Sequence, residues 1–256
     1  MALTDKLSKI PRGNTVPGVN RTIVEYLLDR SDLAEGFAVL DVPCGNGAFL
    51  DALKEFFPAA ETFGADIIEP PDNSRHRFFR IDARQPFEIE TNEKFKIITS
   101  ISGVTEFDNT QQFLEQLRPY LSQDGVLIVS NDNIFSVRNR LLYLLFGRFR
   151  QTHLFMGNDE PTWKIIPLQN LTRILFEAGF EIAEVKYVPA KASEWLWLPL
   201  AALVYIFQYL YLRFGESETA FSIKTALYPF VSLIARHYVL ICCTRRQDDP
   251  VNLSSR

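Results

Sequence analysis

The sequence predicts an α/β fold in which a parallel sheet is covered by helices on both faces, and three observations support this prediction. Short apolar runs alternate with amphipathic helical segments over most of the chain, as in parallel strands joined by crossover helices. Several apolar runs end at a carboxylate or an amide, as expected where a ligand site lies at the carboxyl edge of a sheet. The 256 residues, 47% of them hydrophobic, suffice for one large domain or two small ones.

Seven strands and the main helices follow from the hydrophobic pattern. Each strand is a short apolar run bounded by Gly, Pro or polar residues, and each helix repeats its apolar residues every three or four positions. Pro58 ends the second helix, and Gly179 ends the fourth. The predicted strands are 37–42, 62–65, 76–81, 95–101, 125–130, 180–188 and 237–243, and the predicted core helices are 21–28, 48–57, 111–121 and 168–178.

Composition and charge narrow the functional classes. The net charge of −4 gives no general electrostatic basis for binding nucleic acid. Residues 1–133 carry 13 basic and 21 acidic side chains and residues 134–256 carry 14 and 10, so we expect the two halves to face different partners. The three cysteines, Cys44, Cys242 and Cys243, form neither a CxxC pair nor a disulfide framework, and no secretory signal is evident. These features predict a reducing, cytoplasmic environment.

The loop after the first strand carries the clearest chemical signal. Gly45 and Gly47 lack a Cβ atom, so the backbone can turn sharply beside a ligand, and the following helix can offer unpaired N–H groups. Asp41 precedes this loop, Asp66 ends the second strand and Asp82 ends the third. We expect the three carboxylates to meet at one edge, where Asp66 can accept both hydroxyls of a ribose and Asp82 an adenine amino group.

Several segments resemble a known family. Residues 41–47 (DVPCGNG) are similar to the Asp-x-x-Cys-Gly-x-Gly loop of class I S-adenosylmethionine-dependent methyltransferases. Residues 64–67 (GADI) resemble the ribose-binding strand end of that family, and residues 80–83 (RIDA) resemble its adenine-contact turn. The likeness continues over the segments 95–107, 117–133 and 175–185.

The resemblance implies a Rossmann-like sheet of seven strands, the last of them antiparallel, and S-adenosylmethionine as cofactor. The chain departs from the family at Pro43, where Gly is commoner, at Lys96, where an acid is frequent, and at Phe107, where a His often follows the Glu. The residues that the resemblance assigns to the cofactor are Asp41, Cys44, Gly45, Asn46, Gly47, Asp66, Ile67, Asp82, Ala83 and Ser100.

Two residues are candidates for a catalytic base on the acceptor side. Methyl transfer to an alcohol needs a base, whereas transfer to a carboxylate does not. His153 follows the fifth strand and Glu106 follows the fourth. The alternative for His153 is a loop histidine that binds a carbonyl. No His, Cys, Asp or Glu cluster has metal-ligand spacing, so the sequence predicts no metal dependence.

The connections after strands five and six are too long for plain crossovers. We therefore expect one domain over residues 1–256, with helical insertions that cover the acceptor. The core of that domain comprises 20–133, 165–190 and 236–245, and the insertions comprise 134–164 and 191–235.

Both insertions carry membrane-like signals. Residues 136–150 combine four arginines with apolar residues and no acid, which is typical of helices at anionic lipid surfaces. Residues 195–212 carry no charge, but Pro199 leaves a 13-residue helix over 200–212, about 20 Å long and too short for a core of about 30 Å. A lid over the cofactor pocket and a surface that docks on anionic membrane both stay open, and the two are compatible.

The leading hypothesis is a cytoplasmic methyltransferase, peripheral at the inner face of the membrane. Its expected acceptor is an oxygen of a small, membrane-associated or lipid-linked molecule, such as a glycan or a quinone-like compound. One alternative is a membrane-docked partner or sensor that binds the cofactor without turnover. Another is a nicotinamide-dependent reductase, although Leu50 stands where such enzymes favour Gly or Ala.

Overall fold

The structure is a computed structural model that describes residues 3–68, 75–154, 164–215 and 219–245. Seven strands and eight α-helices organise these residues. The strands are β1 (Ala38–Asp41), β2 (Glu61–Asp66), β3 (Arg77–Arg80), β4 (Phe95–Ile101), β5 (Leu121–Asp132), β6 (Phe180–Tyr187) and β7 (His237–Thr244). The helices are α1 (Leu3–Ser8), α2 (Val19–Leu28), α3 (Ala48–Phe56), α4 (Thr110–Leu117), α5 (Val137–Phe146), α6 (Leu168–Glu177), α7 (Leu198–Phe214) and α8 (Phe221–Leu227).

The strands form one sheet in the order β3-β2-β1-β4-β5-β7-β6. Strands β1 to β5 pair in parallel, and β7 is antiparallel to both of its neighbours, β5 and β6. This confirms the predicted seven-stranded, mostly parallel sheet with an antiparallel last strand. The order reverses at β1, so a crevice opens beyond the carboxyl ends of β1 and its neighbours.

Both faces of the sheet are buried under helices. Leu40 and Ile98 belong to the hydrophobic cluster on one face, together with Phe113 of α4. Val39 and Ile97, their neighbours in sequence, belong to the cluster on the other face. Side chains alternate between the two faces of a strand, so an apolar run such as residues 95–101 can fill both clusters at once.

The sequence-derived boundaries differ from the structure most at β5, which runs over Leu121–Asp132 rather than the predicted 125–130, and at two prolines. The predicted helix 111–121 ends at Leu117, and Pro119 lies in a 3₁₀ turn, Arg118–Tyr120, because proline cannot donate an N–H inside an α-helix. Pro199 was expected to interrupt the apolar stretch, but it lies in the first turn of α7, where an N–H has no helical partner. Helix α7 therefore has 17 residues, rather than the 13 expected over 200–212.

The two long insertions meet beside the carboxyl edge of the sheet. Val137 of α5, Ala201 of α7 and Leu233 form a small hydrophobic cluster, separate from the two clusters that cover the sheet. Residues 155–163 and 216–218 of these insertions lie outside the described residues. The insertions thus form one helical layer at the edge where the ligand crevice opens.

Candidate active site

The glycine loop between β1 and α3 is folded against Asp66. Gly45 and Gly47 have φ angles of 54° and 78°, in the left-handed region that glycine tolerates best. The Gly45 N–H donates a hydrogen bond of 2.8 Å to one carboxylate oxygen of Asp66, and the Ile68 N–H donates one of 3.1 Å to the other. Asp66 is 8% exposed. Two backbone donors therefore fix a nearly buried carboxylate beside the loop.

A cavity of about 280 Å³ opens beside this loop. Its walls come from the ends of β1, β2 and β3 and from the segment after β4. The residues that line it are Val42, Pro43, Ala65, Asp66, Ile67, Ile81, Asp82, Ala83, Arg84, Glu106 and Phe107. It thus brings together four of the residues predicted to bind the cofactor, together with Glu106, one of the two candidate bases.

Asp82 lies at the outer side of this cavity. Both of its carboxylate oxygens accept hydrogen bonds of 2.8 Å from the Arg84 guanidinium, and this pairing lowers the pKa of Asp82. The carboxylate is ionised at neutral pH and partly exposed to solvent. Asp82 can therefore accept a hydrogen bond from an amino group of a ligand in the cavity, in competition with Arg84.

Asp41 occupies a different environment from Asp66 and Asp82. It is 2% exposed and does not line the cavity. The Thr99 hydroxyl donates a hydrogen bond of 2.6 Å to its carboxyl group. Burial raises the pKa of Asp41 to about 7, against the lowering effect of the Thr99 hydrogen bond. Contact between Asp41 and the cofactor stays a prediction; in this structure Asp41 joins the ends of β1 and β4.

Of three other predicted residues, Cys44 and Asn46 belong to the loop and Ser100 lies in β4. The Cys44 thiol is buried, and burial raises its pKa far above the usual range; a Cβ on Gly64 would lie 2.7 Å from its sulfur, so the glycine of the GADI segment is needed for close packing. The Asn46 side chain accepts a hydrogen bond from the N–H of Ala48. Ser100 is fully buried, and its hydroxyl has no hydrogen-bond partner among the described residues.

The structure separates the two candidate bases. Glu106 lines the cavity, and its pKa is raised because the surrounding protein desolvates it and because Asp66 lies nearby. His153 is exposed in the loop after α5 and is not among the residues that line the cavity. A role for either residue stays a prediction, but only Glu106 lies beside the predicted cofactor site.

His237 lies at this edge of the sheet, and no motif in the sequence marks it as a site residue. It is the first residue of β7 and is 1% exposed, and its ring lies 3.5 Å from Asp132 and 3.5 Å from the Ser102 hydroxyl. Because β7 is antiparallel, its first residue lies at the edge where the parallel strands end. The predicted direction of the last strand was the signal that could have identified His237.

The residues around the cavity fit an adenosyl group. The cavity volume of about 280 Å³ is close to the lower end of the range for small-ligand pockets, which is about 300 Å³. Asp66 offers carboxylate oxygens to ribose hydroxyls, and Val42, Ile81 and Phe107 offer apolar surface to a base. In the described residues no group of His, Cys, Asp and Glu could hold a metal ion.

Comparisons with known proteins identify the family of this chain. A family model described as a methyltransferase domain matches residues 14–185. A sphingolipid C9-methyltransferase of Candida albicans is 26% identical over 210 residues, which cover 75% of this chain and 39% of that protein. The chain thus spans about two fifths of the length of that curated relative.

Solved structures share the fold at low sequence identity. An S-adenosylmethionine-dependent methyltransferase from Clostridium acetobutylicum has a TM-score of 0.55 at 12% identity, covering 89% of this chain and 91% of that one. Magnesium protoporphyrin IX methyltransferase from Synechocystis, solved with bound S-adenosylhomocysteine, has a TM-score of 0.52 at 13% identity, covering 96% and 89%. At these identities the likeness shows the fold alone.

Proposed function

The chain belongs to the class I S-adenosylmethionine-dependent methyltransferases, and we propose that it methylates an oxygen of a membrane-associated or lipid-linked small molecule, such as a glycan or a quinone-like compound. The observation that carries this proposal is an exposed apolar surface on the two insertions, beside the edge of the sheet where the cofactor binds. We call this surface the apolar platform. It comprises the exposed apolar residues of α5, of the turn before α7 and of α7 itself, namely Tyr143, Leu144, Leu145, Phe146, Trp195, Leu196, Leu203, Ile206, Phe207, Tyr209, Leu210, Tyr211 and Phe214.

Helix α7 has one protein-facing stripe and one exposed stripe. Ala201 and Leu212, near its two ends, are buried, and Gln208 between them accepts a hydrogen bond from Arg140 of α5 and donates one to the Tyr228 carbonyl. The exposed stripe carries apolar residues at three- and four-residue intervals, with exposures between 48% and 79%; it comprises Leu203, Ile206, Phe207, Leu210 and Phe214. A helix that lies along the protein over its whole length and is apolar on its outer side is suited to the plane of a membrane surface.

The segment 192–214 also has the length and hydropathy of a membrane span. The segment has 23 residues, its most apolar 18-residue window has a mean hydropathy of 1.5, and 11% of that window is buried. The buried positions at both ends of α7 favour an in-plane helix over a crossing one, because a crossing helix would leave the protein surface. We therefore propose that α7 binds the bilayer surface with its exposed stripe.

Positive charge next to the apolar platform favours an anionic membrane. The half of the chain that carries it, 134–256, has 14 basic and 10 acidic side chains. The guanidinium of Arg140 donates to the Phe135 carbonyl and to Gln208, and that of Arg148 donates to the Thr152 carbonyl. These hydrogen bonds go to neutral oxygens, and in the described residues neither Arg140 nor Arg148 forms an ion pair, whereas Arg138 pairs with Glu194 and Arg150 with Asp132. Each such charge near an anionic surface contributes about 1 kcal/mol to binding.

The residues of the site position the reactants. When bound, S-adenosylmethionine supplies an electrophilic methyl group on a positively charged sulfur. Asp66, fixed by two backbone N–H groups, is suited to hold the ribose, and the glycine loop permits close approach of the backbone. Such a transfer depends mainly on alignment and exclusion of water, and the helical insertions lie where they can cover the reacting atoms.

Liposome flotation tests the membrane part of the proposal. The protein is expected to float with vesicles of phosphatidylglycerol and phosphatidylcholine and less with phosphatidylcholine alone. Phe207→Glu places a charge on the apolar platform, at a side chain that is 66% exposed, and is expected to abolish flotation. Leu3→Glu is the matched control, because Leu3 is 56% exposed on α1, away from the platform. Equal recovery of all three proteins in the soluble fraction would remove the membrane from the proposal.

Methyl transfer tests the acceptor class directly. Vesicles that carry a hydroxylated quinone, a glycolipid or an unsaturated sphingolipid are incubated with S-adenosylmethionine labelled in its methyl group. Label is expected in the lipid phase for one of the first two. Label only in water-soluble acceptors would contradict a lipid acceptor. Binding of S-adenosylhomocysteine without any transfer would favour the alternative of a membrane-docked sensor.

Carbon methylation of a lipid chain is a second candidate. It is favoured by the Candida albicans relative, whose name places its methyl group on C9 of a sphingolipid. Fragmentation of the methylated product by mass spectrometry separates the two candidates, because a methyl ether and a branched chain break at different bonds. If only the unsaturated sphingolipid is labelled and the methyl group is on carbon, the acceptor atom is carbon and not oxygen.

A further inference from the structure

A hydroxyl, an imidazole and a carboxylate lie in line at the carboxyl edge of the sheet. Ser102 follows β4, His237 begins β7 and Asp132 ends β5. The Ser102 Oγ lies 3.5 Å from Nε2 of His237, and Nδ1 of His237 lies 3.5 Å from Oδ1 of Asp132. We propose that Ser102 is a catalytic residue that receives the proton of an acceptor hydroxyl and that His237, oriented by Asp132, accepts the proton of Ser102. This inference rests on the proposed methylation of oxygen.

The Ser102 hydroxyl is linked to the glycine loop through residues 14 and 15. The φ angle of Ser102 is 60°, an uncommon value for a residue with a side chain, and its backbone nitrogen lies 3.0 Å from the Oγ of Ser130 and 3.3 Å from the carbonyl oxygen of Ser130. The Ser102 hydroxyl lies 2.6 Å from the Thr15 hydroxyl. Asn14, the residue before Thr15, lies 3.1 Å from the position that a Cβ on Gly45 would take. One segment thus contacts both the glycine loop and Ser102, although Ser102 itself does not line the cavity beside that loop.

His237 is buried and its Nδ1 has no hydrogen-bond partner among the described residues. The pairing of β5 with β7 sets Asp132 directly opposite it. The Asp132 carboxylate also accepts a hydrogen bond of 2.9 Å from Arg150. Arg236 precedes His237 and pairs with the buried Glu194. At 3.5 Å the Asp132 carboxylate makes no hydrogen bond to Nδ1 in this structure, and the proposal requires that it accept one from Nδ1 during turnover, which leaves Nε2 free to accept a proton.

The proposed step balances in atoms and charge. The acceptor oxygen bonds to the methyl carbon, and the carbon–sulfur bond of the cofactor breaks with its electron pair moving to sulfur. The proton of the acceptor hydroxyl passes to Ser102 Oγ as the Ser102 proton passes to Nε2 of His237. The positive charge lost from sulfur is thereby replaced by an imidazolium charge, which Asp132 stabilises. After the product has left, the proton returns from Nε2 of the buried His237 through the Ser102 hydroxyl to solvent before the next turnover.

Nuclear magnetic resonance of labelled histidine tests the orientation of the ring without an acceptor. The chain has three histidines, so His237→Gln assigns the signal. The neutral ring of His237 is expected to carry its proton on Nδ1, and Asp132→Asn is expected to shift a measurable fraction of it to Nε2. A ring protonated on Nε2 that does not respond to Asp132→Asn would overturn the proposal, whatever the acceptor.

Kinetics with the lipid acceptor test the relay itself. Ser102→Gly removes the hydroxyl, and glycine accepts a φ angle of 60° without strain. Ser102→Gly and His237→Gln are each expected to lower kcat by about 10²-fold or more, with KM for S-adenosylmethionine changed less than about twofold. The loss should shrink for acceptor analogues with more acidic hydroxyls, because these need less help from a base, whereas a folding defect would affect all acceptors alike.

The matched His→Gln substitution is His153→Gln, at the exposed histidine. A large loss of kcat in His153→Gln with none in His237→Gln would overturn the relay and favour His153 as the base. Failure of the unaltered protein to bind S-adenosylhomocysteine would instead refute the proposed function. Binding of that product with kcat unaffected by Ser102→Gly would refute the relay alone.

Discussion

Replacing Asp41 by asparagine is expected to stabilise the protein above neutral pH. Asp41 is 2% exposed, and burial raises its pKa from 3.8 to about 7. Asparagine has nearly the same shape and keeps an oxygen that can accept the Thr99 hydrogen bond, but it cannot ionise. The substitution therefore removes the cost of burying a charge and little else.

The sign and size of the effect follow from the pKa. Below pH 4 both the folded and the unfolded chain hold the Asp41 proton, so Asp41 does not lower the free energy of unfolding. As the pH rises to 7, the unfolded chain releases this proton while the folded chain keeps it, so the free energy of unfolding falls. Each unit of difference between the folded and unfolded pKa corresponds to about 1.4 kcal/mol. The rise of the Asp41 pKa from 3.8 to about 7 therefore lowers the free energy of unfolding by about 4 kcal/mol, and this loss is complete above pH 7.

Urea denaturation from pH 4 to pH 8, without cofactor, measures this effect. The difference between the free energies of unfolding of Asp41→Asn and of the unaltered protein is expected to grow by about 4 kcal/mol over that window. Asp32→Asn is a control of opposite sign, because Arg30 and Lys96 lower the pKa of Asp32 and its ionised form favours folding. Asp32 titrates below this window, so Asp32→Asn should lower the free energy of unfolding by a nearly constant amount from pH 4 to pH 8. A difference for Asp41→Asn that does not change with pH would refute the reasoning.

Three further outcomes are expected. Glu194→Gln should lower the free energy of unfolding by about 3 kcal/mol, because it leaves the guanidinium groups of Arg138 and Arg236 without their buried carboxylate partner. An unchanged midpoint in urea titrations would contradict this expectation. Excess EDTA should leave methyl transfer unchanged; loss of activity that magnesium restores would show a metal dependence. Thr99→Val should raise the pKa of Asp41 further, because it removes the hydrogen bond to its ionised form, so that the midpoint of the pH-dependent loss of stability moves to higher pH.

The strands could be predicted because their side chains pack into the hydrophobic clusters on both faces of the sheet. The apolar run of β4, predicted over 95–101, matches the strand in the structure, since a strand covered on both faces needs apolar residues at successive positions. Helix ends were harder to predict where proline occurs. Proline is compatible with the first turn of a helix but not with its middle, so Pro199 marks the start of α7 rather than a break.

The cofactor site was predicted in part. Asp66 lies at the cavity because it ends β2 and receives the Gly45 N–H. Asp41 also ends a strand, but its carboxyl group turns to Thr99 on the neighbouring β4, and a single sequence does not show which strand will be that neighbour. Ser102 and His237 are separated by 135 positions in the chain, so only the order and direction of the strands bring them together.

Binding of S-adenosylhomocysteine, measured by calorimetry, tests the central claim most directly. The unaltered protein is expected to bind it and not to bind NAD or NADP, and Asp66→Ala should weaken binding by at least about tenfold, because charge-assisted hydrogen bonds to the ribose are lost. Asp124→Asn, at an exposed carboxylate that pairs with Lys96, should bind like the unaltered protein. Full affinity in Asp66→Ala, or binding of a nicotinamide cofactor in place of S-adenosylhomocysteine, would contradict the assignment of this site.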